Sequence, residues 1–237
     1  MYLNINIKFR GVKQMKPVIV MTQTSNIQSD LVEIVHKPFI QIQPLEIDTR
    51  LLQNNYDWLI FTSKNAVRLF QPYMDTLQVK HIAVIGSKTA QLCHDINIKV
   101  DFVPEDYSQE GLLNNLSIKG QKVLIPSSAQ ARPKLQQQLA INNNVVKIDL
   151  YKPVPHKNNI YDVLNMINNN AIEALTFSSS SAVRYYFNEG LPSDFNQYYA
   201  IGQQTANTLR EYGIEPYIAD KQTAEALINK IIESRNK

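Results

Sequence analysis

The residues best suited to chemistry are hydroxyls and glycines that follow short apolar strands and precede helical patterns. Thr62 and Ser63 follow one predicted strand, and Gly86 follows the next. A side-chain oxygen at such a junction accepts a hydrogen bond from the free N–H groups of the first helical turn. The junction also directs backbone donors and the positive end of the helix dipole outward, which suits a carboxylate or a phosphate. These residues predict either ordinary helix caps or a site for an anionic ligand.

The same junctions occur a second time. Residues 57–70 recur as 173–186, and 85–90 recur as 201–206, both at an offset of 116 residues (173 − 57 and 201 − 85). In the second copy the junction residues are Ser178, Ser179 and Gly202, and the following helix carries Thr205 where the first copy has Thr89. Two motifs that share one offset indicate an internal duplication. A repeat this long indicates two related domains.

The elements around these junctions predict an α/β fold. Strands alternate with helices along the chain, which implies parallel sheets with helices on both faces. Between the first two strands we predict a helix from Ser25 or Asn26 to about His36, and we predict a further strand over 98–103. Ligands on such sheets bind beyond the carboxyl ends of the strands, where the hydroxyls and glycines fall. We expect a ligand to lie between the two similar halves.

Composition excludes several classes of function. The 237 residues include 7 Gly and contain no dinucleotide or P-loop fingerprint. The four histidines are scattered without metal-ligand spacing, so we predict no metal. Three basic residues within 1–14 account for the net charge of +3 and leave the rest of the chain neutral (3 − 3 = 0), so bulk charge gives no argument for nucleic acid or a membrane surface. No apolar run is long enough to span a bilayer, and 1–14 lack the apolar core of a signal peptide. Cys93 is the single cysteine, so an intrachain disulfide is excluded, which suits a reducing cytosol. It occupies an apolar helical position, so we predict that it lies in the core.

One position breaks the repeat. Ile42-Gln43-Pro44 corresponds to Tyr151-Lys152-Pro153, so a phenol stands where the first copy has an apolar side chain. From the residues alone, Tyr151 is either a packing residue at a strand end or a functional group.

Taken together, the motifs resemble the uroporphyrinogen-III synthase family. The resemblance runs from about Met15 to the last helix, and its motifs are weak singly but fairly specific in their order and spacing. They are Asp57-x-x-Ile-Phe-Thr-Ser-x-Asn-Ala-Val67, Val84-Ile-Gly-x-x-Thr89-Ala90, Val123-Leu-Ile-Pro126 with Ala131-Arg132, Leu150-Tyr151, Phe177-Ser-Ser-x-Ser-Ala-Val183, Ala200-Ile-Gly-x-x-Thr205-Ala206 and Thr223-x-Glu-Ala-Leu227.

The resemblance implies a cytoplasmic, monomeric, cofactor-free lyase of tetrapyrrole (haem) biosynthesis, with no nucleic-acid or membrane partner. Its substrate would be hydroxymethylbilane, a linear tetrapyrrole with carboxylate side chains, which is dehydrated, inverted at ring D and closed. It also implies two similar flavodoxin-like α/β domains joined by a two-stranded linker, with the active site in the cleft. We expect one domain at 15–40 with 154–237, the other at 45–148, and linkers at about 39–44 and 147–153. Residues 1–14 would be an N-terminal extension, which is either a disordered tail or a result of the choice of start codon.

The resemblance also implies roles for individual residues. Tyr151 corresponds to the tyrosine proposed as the acid that helps hydroxide leave. The candidate substrate-binding residues are Thr62, Ser63, Lys64, Gly86, Thr89, Arg132, Ser178, Ser179, Gly202 and Thr205. Ser127-Ser128 stands where many relatives have Arg-Gly, so Arg132 is the nearer candidate for a carboxylate contact.

Two other classes of function compete with this interpretation. A two-domain binding protein for a small anionic ligand would use the same caps and cleft without doing chemistry. An α/β hydrolase would need a G-x-S-x-G elbow and a placed histidine, and the sequence has neither.

Overall fold

A computed structural model describes residues 16–190 and 194–235. The described residues form ten strands: β1 (Val18–Met21), β2 (Glu33–His36), β3 (Ile40–Pro44), β4 (Asn55–Phe61), β5 (Gln78–Val84), β6 (Lys122–Ser128), β7 (Asn144–Pro155), β8 (Ala174–Phe177), β9 (Tyr198–Ala200) and β10 (Tyr217–Ile218). The helices are α1 (Lys64–Phe70), α2 (Ser87–Asp95), α3 (Gln109–Asn115), α4 (Lys134–Ala140), α5 (Lys157–Asn168), α6 (Ser180–Phe187), α7 (Gln203–Arg210) and α8 (Ala224–Arg235). Two 3₁₀ helices cover Thr49–Gln53 and Gln71–Thr76. The extension predicted over 1–14 lies outside the described residues.

The chain divides into two compact units. Unit 1 contains the residues up to Gln41 and those from Pro155 onward, and unit 2 contains Ile42–Val154. The chain leaves unit 1 along β3 and returns along β7, and these two strands are neighbours in one sheet. Unit 1 is therefore discontinuous in sequence, whereas unit 2 is a single continuous segment.

Unit 1 is built on a sheet with the strand order β10-β9-β8-β1-β2, whose paired strands are parallel. Alternate residues of β1 point to opposite faces, because strand side chains alternate. Val20 joins an apolar cluster with α5, α6 and α7, whereas Ile19 and Met21 join a second cluster with α8. Both faces of this sheet are therefore covered by helices.

Unit 2 repeats this plan with the strand order β3-β7-β6-β4-β5. The pairs β4–β5, β4–β6 and β6–β7 are parallel. Phe61 and its neighbours pack against α1 and α2 on one face, while Ile60 packs with α3 and α4 on the other. Cys93 is fully buried in the first of these clusters, which confirms its predicted place in the core. The predicted class, α/β with parallel sheets and flanking helices, is confirmed.

The helix predicted from Ser25 or Asn26 to about His36 is wrong. The segment is a loop that leads into β2, which lies parallel to β1. Ile27, Leu31 and Ile34 recur at helical spacing, and this pattern suggested the helix. The residues that end the segment, with β-branched Ile34 and Val35 at their centre, instead pair with β1, from Val18–Glu33 to Met21–His36. Pairing with a buried strand overrode the local pattern.

The strand predicted over 98–103 is also absent from the described structure, where a single bridge joins Phe102 to Ala83. The segment lies along β5, but the Asp101 carboxylate accepts the N–H of Ile82 at 2.9 Å. A side chain thus takes a donor that a regular strand would satisfy with its own carbonyl. Among the described helices, none has the length and apolar character needed to cross a membrane.

Candidate active site

The Ser63 and Ser179 side chains cap the two repeated helices in the same way. Ser63 has φ −161° and ψ 159°, and its Oγ accepts the N–H of Ala66 at 3.2 Å. Ser179 has φ −160° and ψ 151°, and its Oγ accepts the N–H of Ala182 at 3.2 Å. The predicted caps are confirmed, and the duplication extends to hydrogen-bond geometry.

Tyr151 makes one of these two caps different from the other. Its Oη lies 2.9 Å from the Oγ of Ser63, 88 residues away in sequence. The ring packs in the apolar cluster of unit 2, and the residue is 7% exposed. β7 places Tyr151 beside Ser128, the last residue of β6. The phenol predicted to act as the acid therefore sits at the carboxyl end of the sheet, hydrogen-bonded to a predicted binding residue.

Glycines begin the other two repeated helices, α2 and α7. Gly86 has an extended backbone, and its carbonyl accepts the N–H groups of Thr89 and Ala90 at 2.9 and 3.0 Å. Gly202 is also extended and makes no side-chain cap. The first N–H groups of such helices have no partner within the helix, so they can donate to an anion. Thr89 and Thr205, each the third residue of its helix, are buried.

The four predicted residues of unit 1 line one cavity of about 290 Å³. The complete lining is Ser178, Ser179, Ser180, Ser181, Ile201, Gly202, Gln204, Thr205 and Gln222. The lining has hydroxyls, side-chain amides and helix starts but no charged side chain. Cavities for drug-sized ligands have volumes of about 300–1,000 Å³, so this one lies at the small end of that range.

The predicted residues of unit 2 follow three neighbouring strands of its sheet. Thr62, Ser63 and Lys64 follow β4, Gly86 follows β5, and Arg132 lies in the turn after β6. Arg132 and Lys64 are exposed to solvent. A larger cavity of unit 2, about 500 Å³, is lined by other residues, among them Lys80 and Asp101, and by none of the predicted ones.

The chain is similar in sequence to a known protein family over most of its length. A sequence model of the family described as uroporphyrinogen-III synthase HemD matches residues 24–229. The chain belongs to the uroporphyrinogen-III synthase family. The resemblance noted from the motifs is thereby confirmed.

Individual members of the uroporphyrinogen-III synthase family match most of the chain. A porphyrin biosynthesis protein HemD from Ruminiclostridium josui is 26% identical over 219 residues, which cover 85% of this chain and 44% of that protein. The chain thus spans less than half the length of that relative. A putative uroporphyrinogen-III synthase from Methanothermobacter thermautotrophicus is 29% identical over 194 residues, covering 74% of this chain and 77% of the relative.

A solved structure of the same family has the same fold. The crystal structure of uroporphyrinogen-III synthetase from Helicobacter pylori superposes with a TM-score of 0.63 and 22% identity. The match covers 93% of this chain and 100% of the other. The likeness supports the α/β architecture described above.

Several lining residues of the unit 1 cavity were missed by sequence reasoning. Gln222 follows β10, and its side chain lies 3.1–3.2 Å from the position that a Cβ on Gly202 would occupy. Ser180 accepts a hydrogen bond from the Thr208 hydroxyl at 2.8 Å, which links α6 to α7. Gln222 lies outside both repeated motifs, so no pattern in the sequence marks it.

The described residues contain no group of three or more His, Cys, Asp or Glu side chains placed to hold a metal ion. Burial raises the pKa of the Cys93 thiol to about 11, which keeps it protonated at neutral pH. The groups present at the strand ends are hydroxyls, side-chain amides and backbone amides, together with the exposed Lys64 and Arg132.

Proposed function

We propose that this protein is a uroporphyrinogen-III synthase, a lyase that dehydrates hydroxymethylbilane, inverts ring D and closes the macrocycle. The family match over residues 24–229 carries the proposal. It favours the enzyme over a non-catalytic binding protein for an anionic ligand. The hydroxyls and helix starts at the strand ends of each unit support it, because the substrate carries many carboxylates.

Tyr151 is the proton donor in this proposal. A phenol is protonated at neutral pH and can donate to the oxygen of the leaving hydroxyl group. As the proton is transferred, the C–O bond breaks, and the lone pair of the adjacent pyrrole nitrogen stabilises the cation that remains. The hydroxyl leaves as water. The fold then needs to hold the two ends of the substrate together, which lowers the entropic barrier to closure.

Binding of the carboxylate arms is assigned to the predicted polar residues. In unit 1 the 290 Å³ cavity with Ser178, Ser179, Gly202 and Thr205 takes one arm. In unit 2 the corresponding groups are Thr62, Ser63, Gly86 and Thr89, joined by Lys64 and Arg132. Arg132 is exposed, so its guanidinium group can contact a substrate carboxylate without first breaking a buried contact.

We further propose that the enzyme is a cytoplasmic monomer that needs no cofactor. The two compact units would be its two domains, 15–40 with 154–237 and 45–148, which differ slightly from the observed division after Gln41 and Val154. Light scattering of the purified chain at micromolar concentration tests the monomer, and a mass twice that of one chain contradicts it.

The decisive experiment uses freshly made hydroxymethylbilane and separates the cyclised isomers by chromatography after oxidation. Spontaneous closure gives isomer I, so the enzyme is expected to give isomer III in excess. A binding protein without catalysis would leave isomer I as the product. Isomer I alone, at an enzyme concentration comparable to that of the substrate, would refute the proposed function.

A further inference from the structure

The hydrogen bond between Ser63 and Tyr151 can run in either direction, since each hydroxyl can donate or accept. A serine hydroxyl has one proton to donate and two lone pairs that accept. The Oγ of Ser63 accepts the N–H of Ala66 at 3.2 Å, so its proton is free for another partner. Among the described residues, that partner is the Oη of Tyr151 at 2.9 Å.

Two arrangements of protons satisfy the distance between these hydroxyls. In the first, Tyr151 donates to Ser63, so the phenol proton is engaged and the serine proton is left for an acceptor outside the chain. In the second, Ser63 donates to Tyr151, so the serine proton is engaged and the phenol proton remains available. Only the second arrangement leaves the phenol proton free for a substrate oxygen, so general acid catalysis by Tyr151 requires it.

The repeat shows that the contact is not a requirement of the helix cap. Ser179 has nearly the same backbone angles and caps α6 at the same distance, and the described structure gives its Oγ no tyrosine partner. β6 lies between β4 and β7 in the sheet, so Tyr151 must reach roughly 10 Å across a neighbouring strand towards Ser63. The hydrogen bond between Ser63 and Tyr151, which crosses this distance, is therefore specific to unit 2 and has no counterpart at Ser179 among the described residues.

We propose that Ser63 is a positioning residue for Tyr151. It donates its proton to the phenol oxygen and so leaves the phenol proton directed at the leaving oxygen of the substrate. The same hydrogen bond stabilises the negative charge that develops on the phenol oxygen as its proton departs, because the donor is already oriented by the helix cap. This proposal rests on the proposed function, and it assigns Ser63 a task besides carboxylate binding.

The test is a double-mutant cycle measured as kcat for isomer III. Ser63→Ala is expected to lower kcat about tenfold in the wild-type background, as expected for partial loss of general acid catalysis. In the Tyr151→Phe background the same change is expected to lower kcat less than twofold, since the group on which Ser63 acts is already absent. Ser63→Thr, which keeps a hydroxyl and a capping oxygen, is expected to restore most of the rate.

Ser179→Ala provides the matched control, because it deletes the equivalent cap and cannot act on Tyr151. Its effect on kcat should be the same factor with and without Tyr151. Ser63→Gly is the second variant at the site, since glycine is tolerated at an N-cap and the hydroxyl is still removed. Melting curves establish that each variant is folded.

The outcomes separate the two proposals. A wild-type protein that yields isomer I alone refutes the synthase activity. A wild type that yields isomer III, with Ser63→Ala equally harmful in both backgrounds, overturns the positioning role, because Ser63 would then act on the substrate or on the helix. An unchanged kcat in Ser63→Ala and Ser63→Gly, or in Tyr151→Phe, overturns it as well.

Discussion

Replacing Tyr151 with phenylalanine tests the proposed acid with little disturbance of the fold. The ring packs in the apolar cluster of unit 2 and is 7% exposed, so phenylalanine keeps nearly all of its packing. The change removes one hydroxyl and its hydrogen bond to Ser63 at 2.9 Å. Ser63 keeps the N–H of Ala66 as a partner, so its own oxygen is not left unsatisfied.

The structure sets the expected cost in stability. A hydrogen bond between two neutral groups contributes about 0.5–1.5 kcal/mol to the free energy of unfolding. For a chain of 150–250 residues each kcal/mol lowers the melting temperature by about 2–4 °C. Starting from a typical stability of about 5–15 kcal/mol, such a loss leaves almost all molecules folded at 25 °C. A fall in turnover at that temperature therefore cannot come from unfolding.

We expect the same substitution to lower the turnover rate clearly. General acid catalysis contributes about 10²–10⁴-fold, and water can replace part of it in an open site. We expect kcat to fall at least about tenfold, while isomer III remains the enzymatic product because the fold still holds the substrate ends. The assay is the rate of isomer III formation from fresh hydroxymethylbilane at saturating substrate, with melting temperature measured on the same samples. Wild-type kcat in the variant would show that Tyr151 is a packing residue and that water or a substrate carboxyl group protonates the leaving oxygen.

Three further predictions concern the cavity, the core and the sheet. Gly202→Ala should raise KM about 2–10-fold, because its Cβ would stand 3.1–3.2 Å from the Gln222 side chain and displace that amide from the cavity. Cys93→Ala should keep turnover within about threefold and lower the free energy of unfolding by about 1–2 kcal/mol, measured by denaturant titration, because the thiol is buried and has no chemical task. Asp57→Asn should lower the melting temperature at pH 7, and the difference from the wild type should shrink as the pH falls below about 4. The backbone N–H of Lys122 and then the ammonium of Lys80 hold the pKa of the Asp57 carboxyl below its usual value. The stabilisation is therefore complete above about pH 4 and is lost as the pH falls through the folded-state pKa.

Controls for these predictions come from the repeat. Gly86→Ala makes the same change at the other glycine, where the nearest neighbour of a Cβ is the Thr89 hydroxyl at 3.8 Å, so its effect on KM should be smaller. Equal effects at both glycines would contradict a role for Gln222. Glu173→Gln is the control for Asp57, because Glu173 is its repeat counterpart and pairs with Arg235 at 3.1 Å. A melting-temperature difference for Asp57→Asn that does not change with pH would argue against the charged hydrogen bonds.

Sequence patterns predicted well what depends on local chemistry. The caps at Ser63 and Ser179 could be predicted because an N-cap is decided within four residues. The helix predicted over 26–36 failed because a pairing with β1 outweighed helical spacing. The contact between Ser63 and Tyr151 was beyond prediction, since it joins residues 88 positions apart through the order of strands in a sheet. Gln222 was missed for the same reason, because its place at the cavity depends on tertiary structure.

The discontinuity of unit 1 has a consequence for synthesis on the ribosome. β1 lies between β2 and β8, and Ile19 pairs with Ala174, 155 residues later. At about 5–20 residues per second, the apolar strand β1 waits roughly 8–30 s for this neighbour to be made. Unit 2 is continuous and is completed within that interval, so it can fold while β1 and β2 still lack most of their sheet. Until β8 is made, one edge of β1 lacks its neighbour, so the nascent chain exposes an aggregation-prone strand edge, and chaperone binding during that interval would be directed to β1 and β2.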